Sequence, residues 1–441
     1  MHELKRSLGL VSAISITVGA VIGSGIFMKA LDVSRNLPDA TWVYGTWLVL
    51  GIVCLFGAFA YAELGSMFPE AGGMYAFLRE SWGRFPAFLY GWTFLLVINS
   101  GTLAALAAAF AENLSSLTPL SQTEQALLAA GMIFVLALVN HFGVDWGALL
   151  QNVSTFAKVG ALAAIVVGGF FFAASGAKPV AAAEVVPLAW QNNWLQALVA
   201  ACIPIFWAYE GWYQLPYNAA ELKNPARDLP RGLIWGLLLL IAVYLLVNAV
   251  YIQLVPLAEM RTLENAVDVP KTAIARIVGG AGNWLALLIS ISVLGAANPN
   301  LLSSPRAFYA MAQDGLVPPS LMYVHPRYRT PTIAIWSQAI WGMGLVVVLK
   351  TFKDLTEYVV FASLLFYALT VAGVYVLRLR AAERPRSYRC WGFPVTPLLF
   401  IAVTLAVDWL TLMNPHERTN ALIGLAIIAA GVPVYFLTKR R

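Results

Sequence analysis

The chain has 441 residues, of which 60% are hydrophobic and only 11% charged, with a formal net charge of +6. A soluble domain averages about 25% charged residues, so too few polar side chains are present to build a water-facing surface, and a mean hydropathy of +0.74 indicates a polytopic membrane protein. The positive balance does not indicate nucleic acid: no basic stripe interleaved with aromatics occurs, and lysine and arginine collect on the cytoplasmic side of membrane proteins, where they set orientation.

A spanning helix needs ~20 mostly apolar residues. Such segments run near 10–34, 42–67, 85–111, 124–141, 149–175, 194–221, 232–255, 281–304, 331–349, 355–377, 393–413 and 418–438, which predicts an all-α integral membrane protein of twelve transmembrane helices. No A-x-A cleavage site follows the first run, so it is expected to remain as a span. An even count puts both termini on one side. The loops on that side hold 18 lysines and arginines against 9 on the other, with Lys158 left inside a span. This predicts a multi-pass protein of the cell membrane with both termini cytoplasmic.

Several chemistries drop out. Cys54, Cys202 and Cys390 form no CxxC and no disulfide framework. His2, His141, His325 and His416 lie at termini or in loops, so no intramembrane metal cluster and no cofactor is expected. No G-x-S-x-G or G-x-x-x-x-G-K-[ST] occurs, which argues against an enzyme and against ATP coupling. No pore filter or ring of charges suggests a channel.

In the first span, "AVIGSGIF" (20–27) places Gly23 and Gly25 around Ser24 at mid-depth. Glycine weakens a helix interior by ~1 kcal/mol relative to alanine, and in lipid a freed amide finds no water. Close helix packing is one reason to accept this. The sixth span, "ACIPIFWAYEGWYQLPYNAAELKNP" (201–225), is interrupted as well, by Pro204, Glu210-Gly211 and Pro216. Spans one and six open two five-span blocks. Interrupted helices at matching places in two halves indicate a transporter site on inverted repeats, because five spans followed by five more invert the second block. The predicted units are 1–175, 194–377 and, for the last two helices, 393–438. An interruption exposes N–H groups at the start of the second half-helix, which suit a carboxylate. It exposes carbonyls at the end of the first, which suit an ammonium. The two together describe a site for an α-amino acid.

Ionisable residues inside spans are functional candidates by default. Lys158 lies about 13 Å into span five, where snorkelling to the interface is strained. Glu210 has three readings: a partner for the substrate ammonium, a proton carrier, or a carboxylate balanced elsewhere in the bundle. Asp408 is expected to make an interfacial or interhelical hydrogen bond. Glu63 is a candidate to pair with a cytoplasmic arginine.

The stretches "VIGSGIF", "FWAYEGW", "ELKNPARDLPRGL" and "NPNLLSSPRAFYAMAQDGLVP…HPRYRTP" resemble the amino acid–polyamine–organocation superfamily over essentially the whole chain. Within it they are most similar to the L-type amino acid transporter branch, including bacterial serine/threonine and alanine/serine/cysteine exchangers. The resemblance implies the inverted five-plus-five repeat, with discontinuous helices one and six and two extra C-terminal helices. It implies that Val21, Gly23, Ser24 and Gly25 form the carboxylate site, and that Trp207, Ala208 and Glu210 hold the amine. Trp207 matches the gating aromatic, Tyr209 stands beside it at the interruption, and Asn298 in "GAANPN" matches a polar residue near the substrate. Many family members carry glycine where Glu210 stands, and some bacterial relatives carry aspartate. Lys158 matches a lysine that replaces the cation of sodium-coupled relatives, which implies sodium-independent transport.

The expected function is therefore secondary active exchange of small neutral L-amino acids by alternating access. Proton-coupled symport, or transport of cationic amino acids or polyamines, remain the alternatives. The expected partners are the amino acid substrate and the bilayer. The loop "ENLSSLTPLSQTEQ" has no cysteine for a disulfide-linked heavy subunit, so none is expected.

Overall fold

The computed structural model describes residues 8–69, 72–174, 190, 193–278, 282–302, 304–349, 351–415 and 417–438. The described residues are helical apart from turns, loops and one isolated parallel bridge between Leu8 and Leu222. In chain order the helices are α1 (Leu10–Val21), α2 (Gly25–Met28), α3 (Ala30–Asn36), α4 (Ala40–Met67), α5 (Met74–Trp82), α6 (Arg84–Thr93), α7 (Asn99–Ser115), α8 (Gln122–Phe142) and α9 (Val144–Ala174). They continue as α10 (Trp194–Tyr209), α11 (Pro225–Leu254), α12 (Leu257–Met260), α13 (Asp268–Val278), α14 (Gly282–Leu302), α15 (Pro305–Gln313), α16 (Thr332–Leu349), α17 (Phe352–Arg380), α18 (Val395–Met413) and α19 (Arg418–Thr438). A π-helical turn, Phe94–Ile98, joins α6 to α7.

Eleven stretches among the described residues are long and apolar enough to cross a bilayer. They match eleven of the twelve predicted spans. The twelfth, 194–221, is divided: α10 is 16 residues long, Gly211 takes φ +103°, and the chain continues as the 3-10 helix Trp212–Glu221. The interruption leaves no single helix of crossing length, since 16 residues reach only about 24 Å.

Local chemistry sets the helix ends. Asp39 accepts from the Trp42 amide, Thr351 from the Asp354 amide, and Ser121 with Glu124 forms a reciprocal capping box. The connection between spans two and three contains a further helix, α5.

Packing divides the spans into groups. α11 packs on both α1 and α4, α10 packs on α4, and the 3-10 helix Trp212–Glu221 lies against α1, α4 and α11, while α7, α8, α14 and α16 form a second group. α9 runs along α14 and α11, while α17 leans on α7, α18 and α19. Small residues allow the close approaches. A methyl group on Gly232 would lie 2.7 Å from Ala13, and one on Gly236 would lie 2.7 Å from Thr17, so α11 meets α1 nearly backbone to backbone. At the end of α4, the buried Glu63 carboxylate accepts from Arg378 Nη2 (2.6 Å), Arg386 Nε (3.2 Å) and the Cys390 amide (2.7 Å). The arginine pairing anticipated for Glu63 is present, and it ties α4 to α17 and to the segment before α18.

Candidate substrate site

The two interrupted helices meet. α1 ends at Val21; Ile22 turns to an extended conformation (φ −67°, ψ 98°), and the helix restarts at Gly25. Among the described residues, the N–H groups of Gly23, Ser24 and Gly25 donate to no backbone carbonyl. Three orphan donors in a row at a helix start form an anion cradle. Gly25 presses on the facing helix, where a methyl group would stand 2.4 Å from Ala208 Cα. Gly211 presses the other way, with a methyl 2.9 Å from the Ala20 carbonyl oxygen. The glycines therefore serve packing and exposed backbone at once, because a Cβ at either position would collide with the facing stretch.

Between them lies a narrow cavity. Val21, Gly23, Ser24, Gly25, Trp207 and Glu210 line it, together with Thr102, Tyr213, Gln214 and Asn300. The space left for water-sized molecules is about 20 Å³, room for about one water. The site is closed around itself in this conformation. Trp207 donates from Nε1 to Ser24 Oγ (3.1 Å), and its ring packs edge-on against Phe352 at 5.7 Å. Ser24 thus keeps its own hydroxyl proton to donate. Glu210 Oε1 accepts from the Tyr367 hydroxyl (2.5 Å).

Lys158 is fully buried. Its ammonium donates to the Gly19 carbonyl and, at 2.9 Å, to the Ile22 carbonyl. Both acceptors lie at the broken end of α1, where the helix no longer supplies amide partners. A residue of α11 that sequence reasoning missed performs a related task. The Tyr244 hydroxyl reaches the Ala208 carbonyl (2.8 Å) and the Val21 carbonyl (3.3 Å), joining the two interruptions. The Trp207 carbonyl accepts from the Glu210 amide (3.0 Å). Of the carbonyls expected to hold the ammonium, that of Trp207 therefore accepts from the Glu210 amide and that of Ala208 from the single Tyr244 hydroxyl proton, which it shares with Val21, leaving each a second lone pair.

A sequence profile of the amino acid permease family matches residues 8–432. This chain belongs to that family. The serine/threonine exchanger SteT of Bacillus subtilis (strain 168) is 31% identical, over 100% of this chain and 98% of its own. The large neutral amino acids transporter small subunit 2 of Homo sapiens is 33% identical over 98% and 80%. The b(0,+)-type amino acid transporter 1 of Mus musculus is 30% identical over 99% and 88%. These relatives place the permease in the L-type branch of its superfamily, among transporters and not enzymes.

Within the permease, three anticipated substrate-site residues do not line the cavity: Ala208, against which Gly25 packs, Asn298 and Tyr209. Asn298 is fully buried and its Oδ1 accepts from Asn140 Nδ2 of α8 (2.9 Å); its neighbour Asn300, one helical half-turn on, lines the cavity instead. Tyr209 turns into the helix group: its hydroxyl donates to the Trp47 carbonyl (3.2 Å), and its ring packs against Trp47 and Tyr244. Of the two aromatics at the interruption, Trp207 lines the cavity and packs on Phe352. Asp408 differs from its expectation too. Neither carboxylate oxygen meets a donor among the described residues, and the side chain is 3% exposed.

Proposed function

We propose that the permease is a secondary active transporter that exchanges small neutral L-amino acids across the cell membrane by alternating access, independently of sodium. Lys158 carries the reading. Its ammonium lies on carbonyls released by the interruption of α1, where a bound cation would otherwise be needed to satisfy them. A covalently fixed charge makes that cation redundant. The N–H groups of Gly23, Ser24 and Gly25 take the substrate carboxylate, with the Ser24 hydroxyl as a further donor. The Trp207 and Ala208 carbonyls, through their remaining lone pairs, and Glu210 take the ammonium. Trp207 closes the site.

In this reading the segment 194–221 is the sixth of twelve spans, and 1–175 and 194–377 are inverted halves followed by 393–438. The packing of spans one, two, six and seven in one group, and three, four, eight and nine in another, supports this, because each group takes matching members of both halves. The lysine and arginine bias supports cytoplasmic termini. The names of the relatives, a serine/threonine exchanger and a transporter of large neutral amino acids, support an amino acid substrate. The loop between α7 and α8 carries no cysteine, which supports function without a disulfide-linked heavy subunit.

A second reading, proton-coupled symport, is favoured by Glu210, whose carboxylate lines the cavity on the Tyr367 hydroxyl. Uptake of radiolabelled alanine, serine and threonine into sodium-free proteoliposomes separates the two. Uptake confined to vesicles preloaded with amino acid is the expected result. Uptake into empty vesicles that follows an imposed proton gradient replaces exchange with symport.

A further inference from the structure

A groove of about 730 Å³ opens on the outside of the helix assembly, at the end of the molecule where α1 and α11 begin. One wall is a single stripe of α11: Arg227, Arg231, Ile234, Trp235 and Leu238. Their offsets of 0, 4, 7, 8 and 11 put them on one helix face. The stripe is basic at its start and wholly apolar beyond, over about 16 Å of helix. The opposite wall comes from Leu10 at the start of α1 and from Tyr388 and Trp391 in the segment before α18.

Two features set this groove apart from ordinary lipid-facing surface. Arg227 and Arg231 are both exposed and, among the described residues, form no ion pair. Asp228, between them in sequence, is buried at 5% exposure and neutralises neither. The two residues stand one helical turn apart on α11, a spacing from which two guanidinium forks can reach one phosphate. Trp235 and Trp391 are 58% and 60% exposed, and large amphipathic rings of this kind sit at headgroup depth.

We propose that this groove is a binding site for one anionic glycerophospholipid. The phosphate lies between Arg227 and Arg231, and an acyl chain runs down the stripe past Ile234 and Leu238 toward the bilayer interior. The argument is charge complementarity in register with depth: cations at the headgroup level and hydrocarbon below it match the long axis of such a lipid. The lipid would also touch Leu10, the start of the helix whose other end is unwound at the cavity.

The test is native mass spectrometry of the full-length protein, extracted from bilayers holding equal phosphatidylglycerol and phosphatidylcholine. Retention of one phosphatidylglycerol in preference to phosphatidylcholine is expected. At about 1 kcal/mol per basic residue, the Arg227→Gln/Arg231→Gln variant should lose roughly 30-fold of that preference. Leu238→Trp, which fills the apolar end and leaves both arginines, should lower retention of the lipid without abolishing stabilisation by inorganic phosphate. Arg327→Gln/Arg329→Gln, on another loop, should retain the lipid as the parent does. Thermal unfolding in detergent shows whether each variant is folded before it is compared. Equal retention of the two lipids by the parent, an unchanged preference in the arginine variant, or inorganic phosphate competing as well as the lipid would each overturn the proposal.

Discussion

A membrane-buried lysine is visible in a sequence because insertion penalises it by at least ~2.5–3.5 kcal/mol, and the structure supplies Lys158 with two backbone acceptors at the broken end of α1. Removing the ammonium leaves the Gly19 and Ile22 carbonyls unsatisfied and removes the fixed charge. Lys158→Ala is therefore expected to lower exchange about tenfold or more, since each charge-assisted hydrogen bond is worth about 1.5–3 kcal/mol. Uptake into preloaded vesicles measures this, with size-exclusion chromatography to check folding; unchanged uptake refutes the role. Tyr244 was not legible in the same way. It is one of 17 tyrosines, and nothing in its local sequence distinguishes a phenol that joins two chain breaks from one that fills a core. Asn298 and Asn300 show the same limit: two residues on a helix point about 160° apart, and sequence cannot say which faces the cavity.

At the level of elements, the interruptions of α1 and of 194–221 were legible because glycine and proline are the residues that break helices in lipid. That Gly25 and Gly211 each fit against the backbone of the other interruption required the structure. The turn between α18 and α19 holds a titratable group outside the spans, Glu417. Its side chain is 9% exposed, and Oε2 meets no donor among the described residues. Burial first, and then the charge of Glu357, raise its carboxyl from an ordinary 4.5 to about 7. A carboxyl raised on folding keeps a proton that the unfolded chain has released, so its contribution to stability is full below the unfolded value and lost as pH rises to about 7. The thermal midpoint in detergent should fall between pH 5 and 8, and Glu417→Gln should flatten that fall. An identical slope in the variant refutes the assignment.

Across the whole molecule, the cavity is closed on one side by Trp207 and Phe352. Beyond them a chamber of about 450 Å³ is lined by Lys29, Pro204, Lys353, Glu357 and Glu417. Toward the other end, Arg306 pairs with Glu221 (2.6 Å), and the Leu8 amide donates to the Glu221 carbonyl (3.0 Å). With room for about one water at the centre, the proposed exchange requires one of these contacts to open before a substrate can enter. Trp207→Ala removes the ring that separates chamber from cavity and its bond to Ser24. It is expected to let preloaded amino acid leave vesicles without external substrate, at a rate several-fold above the parent, as followed by efflux into substrate-free buffer. Efflux that stays strictly dependent on external substrate places the barrier elsewhere.

The sequence by itself determined the solvent, the span positions and the two places where helices break. These follow from local quantities: apolar length against bilayer thickness, charge bias between loops, and the few residues that unwind a helix. It also singled out Lys158 and Glu210, because charge in hydrocarbon is costly wherever it occurs. Only the tertiary structure decided which of these groups meet. The contact of Lys158 with residues 19 and 22, the bridge made by Tyr244 and the pairing of Trp207 with Ser24 each join residues more than 30 positions apart. The rotation of each helix about its axis is fixed by packing against its neighbours, and that rotation turned Tyr209 and Asn298 away from the cavity while turning Asn300 toward it.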